Sequence, residues 1–277
     1  MKRFFACLLA AALLVCSGCG IKSEKPSTNG AAGKTENYYA PLTGEPLSTK
    51  PENTRPFAVM INNIVYAQPQ VGISNADIIY EIPAEGGITR MMAIFSHLYD
   101  VESVGSIRSL RPYYLSVALS YDAIVIHESS YKTGLNFADN AVQQCTGGAA
   151  ANVQVTFNTS KSTSFAYHAD SGKYTAVQYK ADYKDGATGE AVPFSNLLIL
   201  SADMKTVDSY GRLAVDLIGS GTGYFVTGGE YVPIKWSRSD INSCFTYTLE
   251  DGTALNLSRG TTYVGVIPTN GGSANFS

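Results

Sequence analysis

The sequence has few of the residues on which several large classes of protein depend. Its 277 residues include only three histidines, five cysteines and one tryptophan. Cys145 and Cys244 have no local Cys or His partner that would complete a zinc motif, and no glycine-rich phosphate loop or dinucleotide-binding motif occurs. These absences argue against zinc, P-loop and dinucleotide-binding proteins, and we expect neither a bound metal nor a cofactor.

A strong excess of one charge is also missing. The chain has 20 basic and 23 acidic residues, a net charge of −3, and the charge becomes −5 without Lys2 and Arg3. Proteins that bind nucleic acid present a basic face to the phosphates, and no basic stripe occurs in this sequence. We therefore expect no nucleic-acid partner and no non-specific adhesion to anionic lipid.

The start of the chain predicts where the protein is located. An apolar run, Phe4–Val15, follows Met1-Lys2-Arg3 and is too short to span a bilayer, which is typical of a signal peptide. The next residues, Cys16-Ser17-Gly18-Cys19, resemble a lipobox, although Cys16 stands where leucine is usual. The leader predicts a signal peptide over 1–18, lipid on the thiol of Cys19, and an extracytoplasmic protein anchored by that lipid to the cell membrane. An ordinary secretory signal is the alternative.

Residues 19–37 are polar and small and show no periodicity. Such a segment cannot bury enough apolar area to offset the entropy lost on ordering, so we predict a flexible tether. Two cysteines, Cys145 and Cys244, remain in the body of the chain. The sequence leaves open whether they form a disulfide.

The character of the chain changes near residue 150. Before it, the patterns predict strands at Phe57–Asn62, Asp77–Ile82, Ile88–Phe95 and Tyr121–His127 and helices at Pro112–Ser120 and Thr133–Gln144. After it, they predict strands at Ser164–Tyr167, Lys173–Tyr179, Asn196–Leu200, Ala214–Ile218, Tyr224–Thr227, Tyr231–Trp236, Ser243–Leu249 and Thr262–Ile267. We predict an α+β protein with an N-terminal α/β domain (38–150) and a β-rich C-terminal domain (151–277), or one unit with two lobes.

The stretch Asn75–Tyr114 has the densest mixture of acids, arginines and glycines. Its polar residues cluster where connections between strands are expected, which is where binding sites usually lie. Arginine offers planar paired donors that suit phosphate or carboxylate. The predicted ligand-binding residues are Asp77, Glu81, Glu85, Arg90, Ser106, Arg108, Ser109 and Arg111.

Alternation within the strand Asp77–Ile82 assigns its side chains to two faces. Ile79 and Glu81 share one face, and Ile78, Tyr80 and Ile82 share the other. We expect the strand to form a hairpin with the next one.

Other interpretations of this stretch remain open. The arginines can pair internally with Asp77, Glu81 and Glu85 as a structural network, since such networks resemble functional sites. Carboxylates, Glu128 among them, can also serve acid/base catalysis or hold a metal, but the sequence fixes no distance between them. His127-Glu128-Ser129 contains the residues of a catalytic triad, yet neighbours on a strand point to opposite faces.

Aromatic residues cluster in the predicted strands of the second half. Tyr224, Phe225, Tyr231 and Trp236 can stack on sugar rings, but aromatics in alternating strands more often fill a core. We therefore predict that they belong to the core.

Many short motifs occur in the order found in the YerB-like lipoproteins, a family of unknown function. The matching segments are Pro41-Leu42-Thr43-Gly44, 55–63, 76–81, 85–90, 106–113, 121–124, Gly219-Ser220-Gly221, Gly228-Gly229, Ile234-Lys235-Trp236 and Asp251-Gly252. Together they extend from about Pro41 to the end of the chain, so the sequence resembles this family over nearly the whole of its body.

The resemblance implies a lipid-anchored surface protein with an N-terminal α/β part and a C-terminal β-rich part. It supplies no catalytic residues. The chain departs from the family pattern in two places: Ser129–Ser164 is shortened, and the His-Asp pair expected near Tyr183-Lys184-Asp185 is absent.

The predicted function is a lipid-anchored envelope protein that binds a ligand or protein partner through the loops of the Arg/Glu/Gly-rich stretch. The alternative is an envelope enzyme that uses the same residues on a phosphate-bearing or glycan substrate, with arginines stabilising phosphate charge. A purely structural role in an envelope complex is a third hypothesis. The sequence does not decide whether the protein is an enzyme.

Overall fold

The computed structural model describes residues 37–52, 54–123 and 135–277. Its strands, in chain order, are β1 (Tyr38–Tyr39), β2 (Pro46–Leu47), β3 (Phe57–Asn63), β4 (Ile78–Pro83), β5 (Thr89–Phe95), β6 (Gly148–Ala149), β7 (Asn152–Asn158), β8 (Lys161–His168), β9 (Lys173–Gln178), β10 (Ala181–Asp182), β11 (Pro193–Phe194), β12 (Asn196–Ala202), β13 (Met204–Thr206), β14 (Leu213–Val215), β15 (Gly219–Thr227), β16 (Glu230–Arg238), β17 (Thr246–Leu249), β18 (Thr262–Pro268) and β19 (Ser273–Phe276). Within these ranges there is one α-helix, α1 (Pro112–Ser120), and there are 3-10 turns at Val65–Ala67, Ile73–Asn75, Glu85–Gly87 and Ala141–Gln144.

The fold is mostly β, and the prediction of an α/β N-terminal part is not confirmed. The predicted second helix, Thr133–Gln144, is wrong in its described part, where only the last four residues form a 3-10 turn. The reason is that this backbone pairs with a distant segment. Leu257 N donates to Asn136 O at 2.7 Å, and Ala138 N donates to Leu257 O at 2.9 Å.

A nine-stranded sheet forms the centre of the molecule. Its order is β17-β16-β15-β12-β18-β4-β5-β3, with β6 beside β16. β18 lies between β12 and β4 and runs parallel to both, whereas the other neighbours are antiparallel. The sheet includes strands from both sides of residue 150, and Asn37–Ser277 forms one compact unit. The division of the chain at residue 150 stays a prediction.

The central sheet is buried on both faces. A six-stranded sheet, ordered β10-β9-β8-β7-β19 with β11 beside β9, shares a core with one face. Helix α1 shares a second core with the other face. Because both faces are covered, every residue of β4 is buried, which explains its nearly continuous apolar sequence.

The hairpin of β4 and β5 confirms the predicted alternation. Ile78, Tyr80 and Ile82 lie in the core beside α1, and Ile79 lies in the core between the two sheets. Glu81, on the same face as Ile79, is fully buried. The hairpin therefore places the Glu81 carboxylate between the two sheets, on the face of the central sheet that does not contact α1.

The aromatic residues of the second half belong to the core, as predicted. Phe225 and Trp236 are buried, and Tyr224 and Tyr231 pack against the core between the sheets. No helix within the described ranges has the length and apolar character needed to cross a bilayer.

Candidate functional site

Two tyrosines fix the start of α1 against the β4–β5 hairpin. The Tyr113 hydroxyl donates to Pro83 O at 2.8 Å, and the Tyr114 hydroxyl donates to Arg90 O at 2.5 Å. Burial raises the pKa of Tyr113 to about 12, so its hydroxyl remains a donor at neutral pH. These bonds place the N-terminus of α1 next to the turn that joins β4 and β5.

That turn is made possible by two glycines. Gly86 and Gly87 both have positive φ angles, 75° and 73°, which glycine adopts without steric cost. The preceding residue, Glu85, is thereby placed at the end of the hairpin, beside the start of α1.

Two arginines converge on the Glu85 carboxylate. Arg90 Nη2 lies 2.6 Å from Glu85 Oε1, and Arg111 Nε donates to Glu85 Oε2 at 3.1 Å while its Nη2 donates to Oε1. Arg90 Nη1 donates to the carbonyl of Ser109. The Arg90 side chain is 2% exposed, and its Nε has no hydrogen-bond partner among the described residues. We call Glu85, Arg90, Arg108 and Arg111 the arginine cluster.

The arginines keep Glu85 ionised. Burial raises the pKa of this carboxyl, but the hydrogen bond from Arg111 and the charges of Arg90 and Arg111 outweigh burial and lower the pKa to about 2. Part of the sequence-based network hypothesis is therefore confirmed, because Glu85 pairs internally with two of the arginines.

The cluster retains an excess of positive charge. Arg108 is exposed, and its side chain makes no hydrogen bond or ion pair with any residue in the described ranges. Its charge is close enough to lower the pKa of Arg90, together with burial, which is the larger cause. Helix α1 begins at Pro112, and its N-cap residue, Arg111, provides no side-chain cap. The dipole of α1 favours an anion at this end, although Pro112 has no N–H and the amide of Tyr114 already donates to Arg111 O at 3.0 Å.

Glu81 lies on the other face of the central sheet, in a buried polar network. Its Oε1 is 3.0 Å from Lys161 Nζ and accepts from Asn63 Nδ2 at 3.0 Å. Its Oε2 accepts from Thr163 Oγ1 at 2.9 Å and from the Tyr263 hydroxyl at 2.8 Å. Both ions are almost inaccessible, with side-chain exposures of 2% for Lys161 and 0% for Glu81. Paired and hydrogen-bonded in this way, a charge can be buried.

Asp77 lies at the opposite end of β4 from the arginine cluster. A six-residue strand is roughly 20 Å long, so the two cannot share a ligand of ordinary size. Asp77 lines a cavity of about 310 Å³ with Glu45, His97 and Tyr99. Burial raises its pKa, and a hydrogen bond from Ser96 N at 2.5 Å counteracts this only in part.

The predicted serines, Ser106 and Ser109, contribute hydrogen bonds through their backbone carbonyls. Ser109 contributes its carbonyl to Arg90, and the carbonyl of Ser106 accepts from Asn62 N at 2.8 Å along the edge of β3. Cys145 is a free thiol, and the thiol of Cys244 donates to Ser120 O at 3.2 Å. Cys19, His127, Glu128 and most of the strand predicted at Tyr121–His127 lie outside the described residues.

Sequence reasoning missed Lys161, the partner of Glu81. The strand there was predicted only from Ser164, whereas β8 begins at Lys161. Extending its alternation backwards places Lys161 and Thr163 on the inward face with Phe165, which is the signal that was available. Within the described ranges, no three His, Cys, Asp or Glu side chains are grouped so as to hold a metal ion.

Comparisons with known proteins agree with this fold. Residues 42–186 match the family profile described as “Protein of unknown function (DUF3048) N-terminal domain”, and 153–264 match that of its C-terminal domain. The chain is 27% identical to “Putative lipoprotein YerB” of Bacillus subtilis (strain 168) over 97% of this chain and 96% of that protein. It is also similar to the crystal structure of the YerB protein from Bacillus subtilis, with a TM-score of 0.69 and 27% identity over 86% of this chain and 99% of that one. The chain therefore belongs to the DUF3048 family, whose function is unknown.

Proposed function

We propose that this protein is a lipid-anchored, extracytoplasmic protein that binds an anionic ligand, or an anionic group of a protein partner, through the arginine cluster. The lipobox-like leader and the similarity to a protein named as a lipoprotein support the anchor and the location. The anchor would be lipid on Cys19.

The observation that carries the proposal is the unbalanced charge of the cluster. The cluster contains three arginines and one carboxylate, of which Arg90 and Arg111 contact Glu85, so a charge of about +2 is left in a place that the helix N-terminus makes more favourable for anions. Arg108 is free to meet a ligand, whereas Glu85 holds Arg90 and Arg111 in a fixed orientation. Fixed donors reduce the entropy that binding costs.

The same geometry supports binding more than proton transfer. A general base works best with a pKa near the operating pH, and the pKa of Glu85 is about 2 because two arginines stabilise its charge. Asp77 and Glu81 lie elsewhere in the fold. Two exposed apolar side chains, Ile107 and Leu110, flank Arg108 in sequence and provide contact area for a partner.

Thermal melting in the presence of simple anions tests the proposal. Inorganic pyrophosphate and citrate are titrated against the protein at low ionic strength. A ligand that binds the native state raises Tm by mass action, so we expect a saturable increase in Tm. Arg108→Gln should reduce this increase at each anion concentration and change Tm little without anion, because Arg108 is exposed.

A matched control separates the cluster from general surface charge. Arg212 is also exposed, but it lies in the turn of the β13–β14 hairpin and pairs with Asp208. Arg212→Gln should leave the anion response unchanged. An equal loss in the two variants, or no rise in Tm with either anion, would count against the proposal.

A further inference from the structure

A cavity of about 470 Å³ opens on the outer side of the six-stranded sheet. Its lining residues come from β8, from the end of β9 and from three turns: Val65, Ser160, Lys161, Ser162, Ser164, Val177, Tyr179 and Lys180. Three of them are serines and one is aromatic, and none of these described lining residues is acidic. Pockets of this size with a few fixed polar groups are typical of small-ligand sites.

The aromatic wall of this cavity is held rigidly. The Tyr179 hydroxyl donates to Asn63 O, and the Lys161 ammonium lies 4.5 Å from the centre of the Tyr179 ring. The backbone of Tyr179 has a φ of 50°, in the left-handed region that non-glycine residues rarely adopt. This conformation belongs to the two-residue turn between β9 and β10, in which Gln178 pairs with Ala181 and both Tyr179 and Lys180 have positive φ angles.

The buried ion pair explains how the ring is held. Lys161 Nζ contacts one face of the ring, and it is itself fixed by Glu81 at 3.0 Å and by Gln178 Oε1 at 2.6 Å. Gln178 is 1% exposed, and its Nε2 has no hydrogen-bond partner among the described residues. Because one ring face is occupied by the ammonium, the opposite face remains for a ligand.

The chemistry of the lining indicates the class of ligand. Ser162 and Ser164 are two residues apart on β8 and so point to the same side of the sheet. They present hydroxyls that both donate and accept hydrogen bonds. Lys180 is exposed and positively charged, and its φ is 66°. A flat ring, a row of hydroxyls and one cation together suit a polyhydroxylated ring that carries an acid group.

We propose that this cavity binds an acidic carbohydrate, with one sugar ring against the free face of Tyr179, ring hydroxyls bonded to Ser162 and Ser164, and the carboxylate of the sugar paired with Lys180. The cavity is separate from the arginine cluster. Ser160 lies against the Glu85–Gly87 turn, where a Cβ added to Gly87 would be 3.8 Å from the Ser160 Cβ. The two sites are therefore on neighbouring elements but share no residue.

Isothermal titration of the full chain with trigalacturonate tests the proposal, with neutral maltotriose as the ligand of equal length. We expect trigalacturonate to bind more tightly than maltotriose. Tyr179→Leu should weaken the binding of trigalacturonate about tenfold through loss of the aromatic face. Lys180→Gln should weaken it about two- to fivefold, as for an exposed ion pair. Tyr179→Phe keeps the ring and should keep most of the affinity.

Two control variants locate the binding. Lys205→Gln removes an exposed lysine elsewhere and should not change the affinity for trigalacturonate. Arg108→Gln alters the arginine cluster and shows whether the acidic sugar binds there instead. The proposal is overturned if trigalacturonate does not bind, or if its affinity depends on Arg108 and not on Lys180. Should Tyr179→Leu fail to fold, Lys180→Gln decides the outcome, because this side chain is exposed.

Discussion

At the scale of single residues, Glu81 and Lys161 form a buried ion pair in which each charge compensates the other. Each is buried, and each would be left as an unpaired ion if the other were removed. Removing one member of a buried ion pair destabilises a protein far more than replacing both members with apolar residues. The pair joins β4 of the central sheet to β8 of the outer sheet, so its loss also weakens the contact between the sheets.

A double-mutant cycle measures this dependence. Lys161→Met leaves the Glu81 carboxylate without its cation, and we expect a loss of about 3–5 kcal/mol in the free energy of unfolding. Glu81→Gln alone should cost a similar amount. The double variant should be less destabilised than the sum of the two single ones, which urea unfolding of all four proteins will show. Additive losses would mean that the two charges do not stabilise each other.

The ionisation of Glu85 predicts a pH dependence of stability. Its pKa in the folded protein is about 2, below the ordinary value of 4.5, because of its arginine partners. A lowered pKa means that the group stabilises the fold fully above pH 4.5 and loses this contribution as the pH falls toward 2. Wild type and Glu85→Gln should therefore differ most in unfolding free energy above pH 5. The difference should shrink steadily between pH 4.5 and pH 2.

The pH dependence of stability expected from Asp77 has the opposite sign to that expected from Glu85. Burial raises its pKa above 3.8, so the contribution of Asp77 to stability is fully present below pH 3.8 and is lost as the pH rises through the raised pKa. Relative to Asp77→Asn, the wild type should become more stable as the pH falls toward 3.8. Parallel pH profiles for the Glu85 and Asp77 variants would contradict these opposite assignments.

At the scale of elements, sequence patterns located many of the strands, although they missed β7 and β19, and they predicted the β4–β5 hairpin but no pairing between distant strands. Alternation and apolar runs identified β3, β4, β5 and β18, because the buried positions of a strand are occupied by apolar residues. The pairing of β18 with β4 cannot be recognised from such patterns, since it joins residues far apart in the chain. For the same reason the candidate site was predicted only in part. Glu85, Arg90 and Arg111 meet as neighbours of one turn, whereas the Lys161 partner of Glu81 comes from another sheet.

The close approach of β15 to its neighbours depends on glycine. A Cβ at Gly221 would lie 2.5 Å from Trp236 Nε1 and 2.8 Å from Ser201 O, the two atoms joined by a 3.0 Å hydrogen bond. Gly221→Ala should therefore break this bond and destabilise the protein by about 1–3 kcal/mol, as overpacking does. Thr222→Ala, at the exposed next position, is the matched control and should change the denaturation midpoint little. Equal changes in the denaturation midpoint for the two variants would show that steric crowding at Gly221 does not affect stability.

At the scale of the whole molecule, the central sheet ties the two halves of the sequence together. Strands β3, β4 and β5 come before residue 150, and β12, β15, β16, β17 and β18 come after it. Either half alone would expose the long edge of β4 or of β18, together with apolar faces that the other half covers. Backbone pairing across this junction is buried, so its loss would leave unsatisfied amides and carbonyls. The halves should therefore depend on each other for stability.

This dependence predicts a single cooperative unfolding transition for residues 37–277. Trp236, the sole tryptophan of the chain, reports by fluorescence on the second half. Ile79→Val removes one buried methylene from β4 in the first half and should cost about 0.5–1.5 kcal/mol. If the halves unfold together, this substitution lowers the urea midpoint seen by Trp236 fluorescence as much as the midpoint seen by far-ultraviolet circular dichroism. A Trp236 midpoint that stays fixed while the other shifts would instead demonstrate two independently folding domains divided near residue 150.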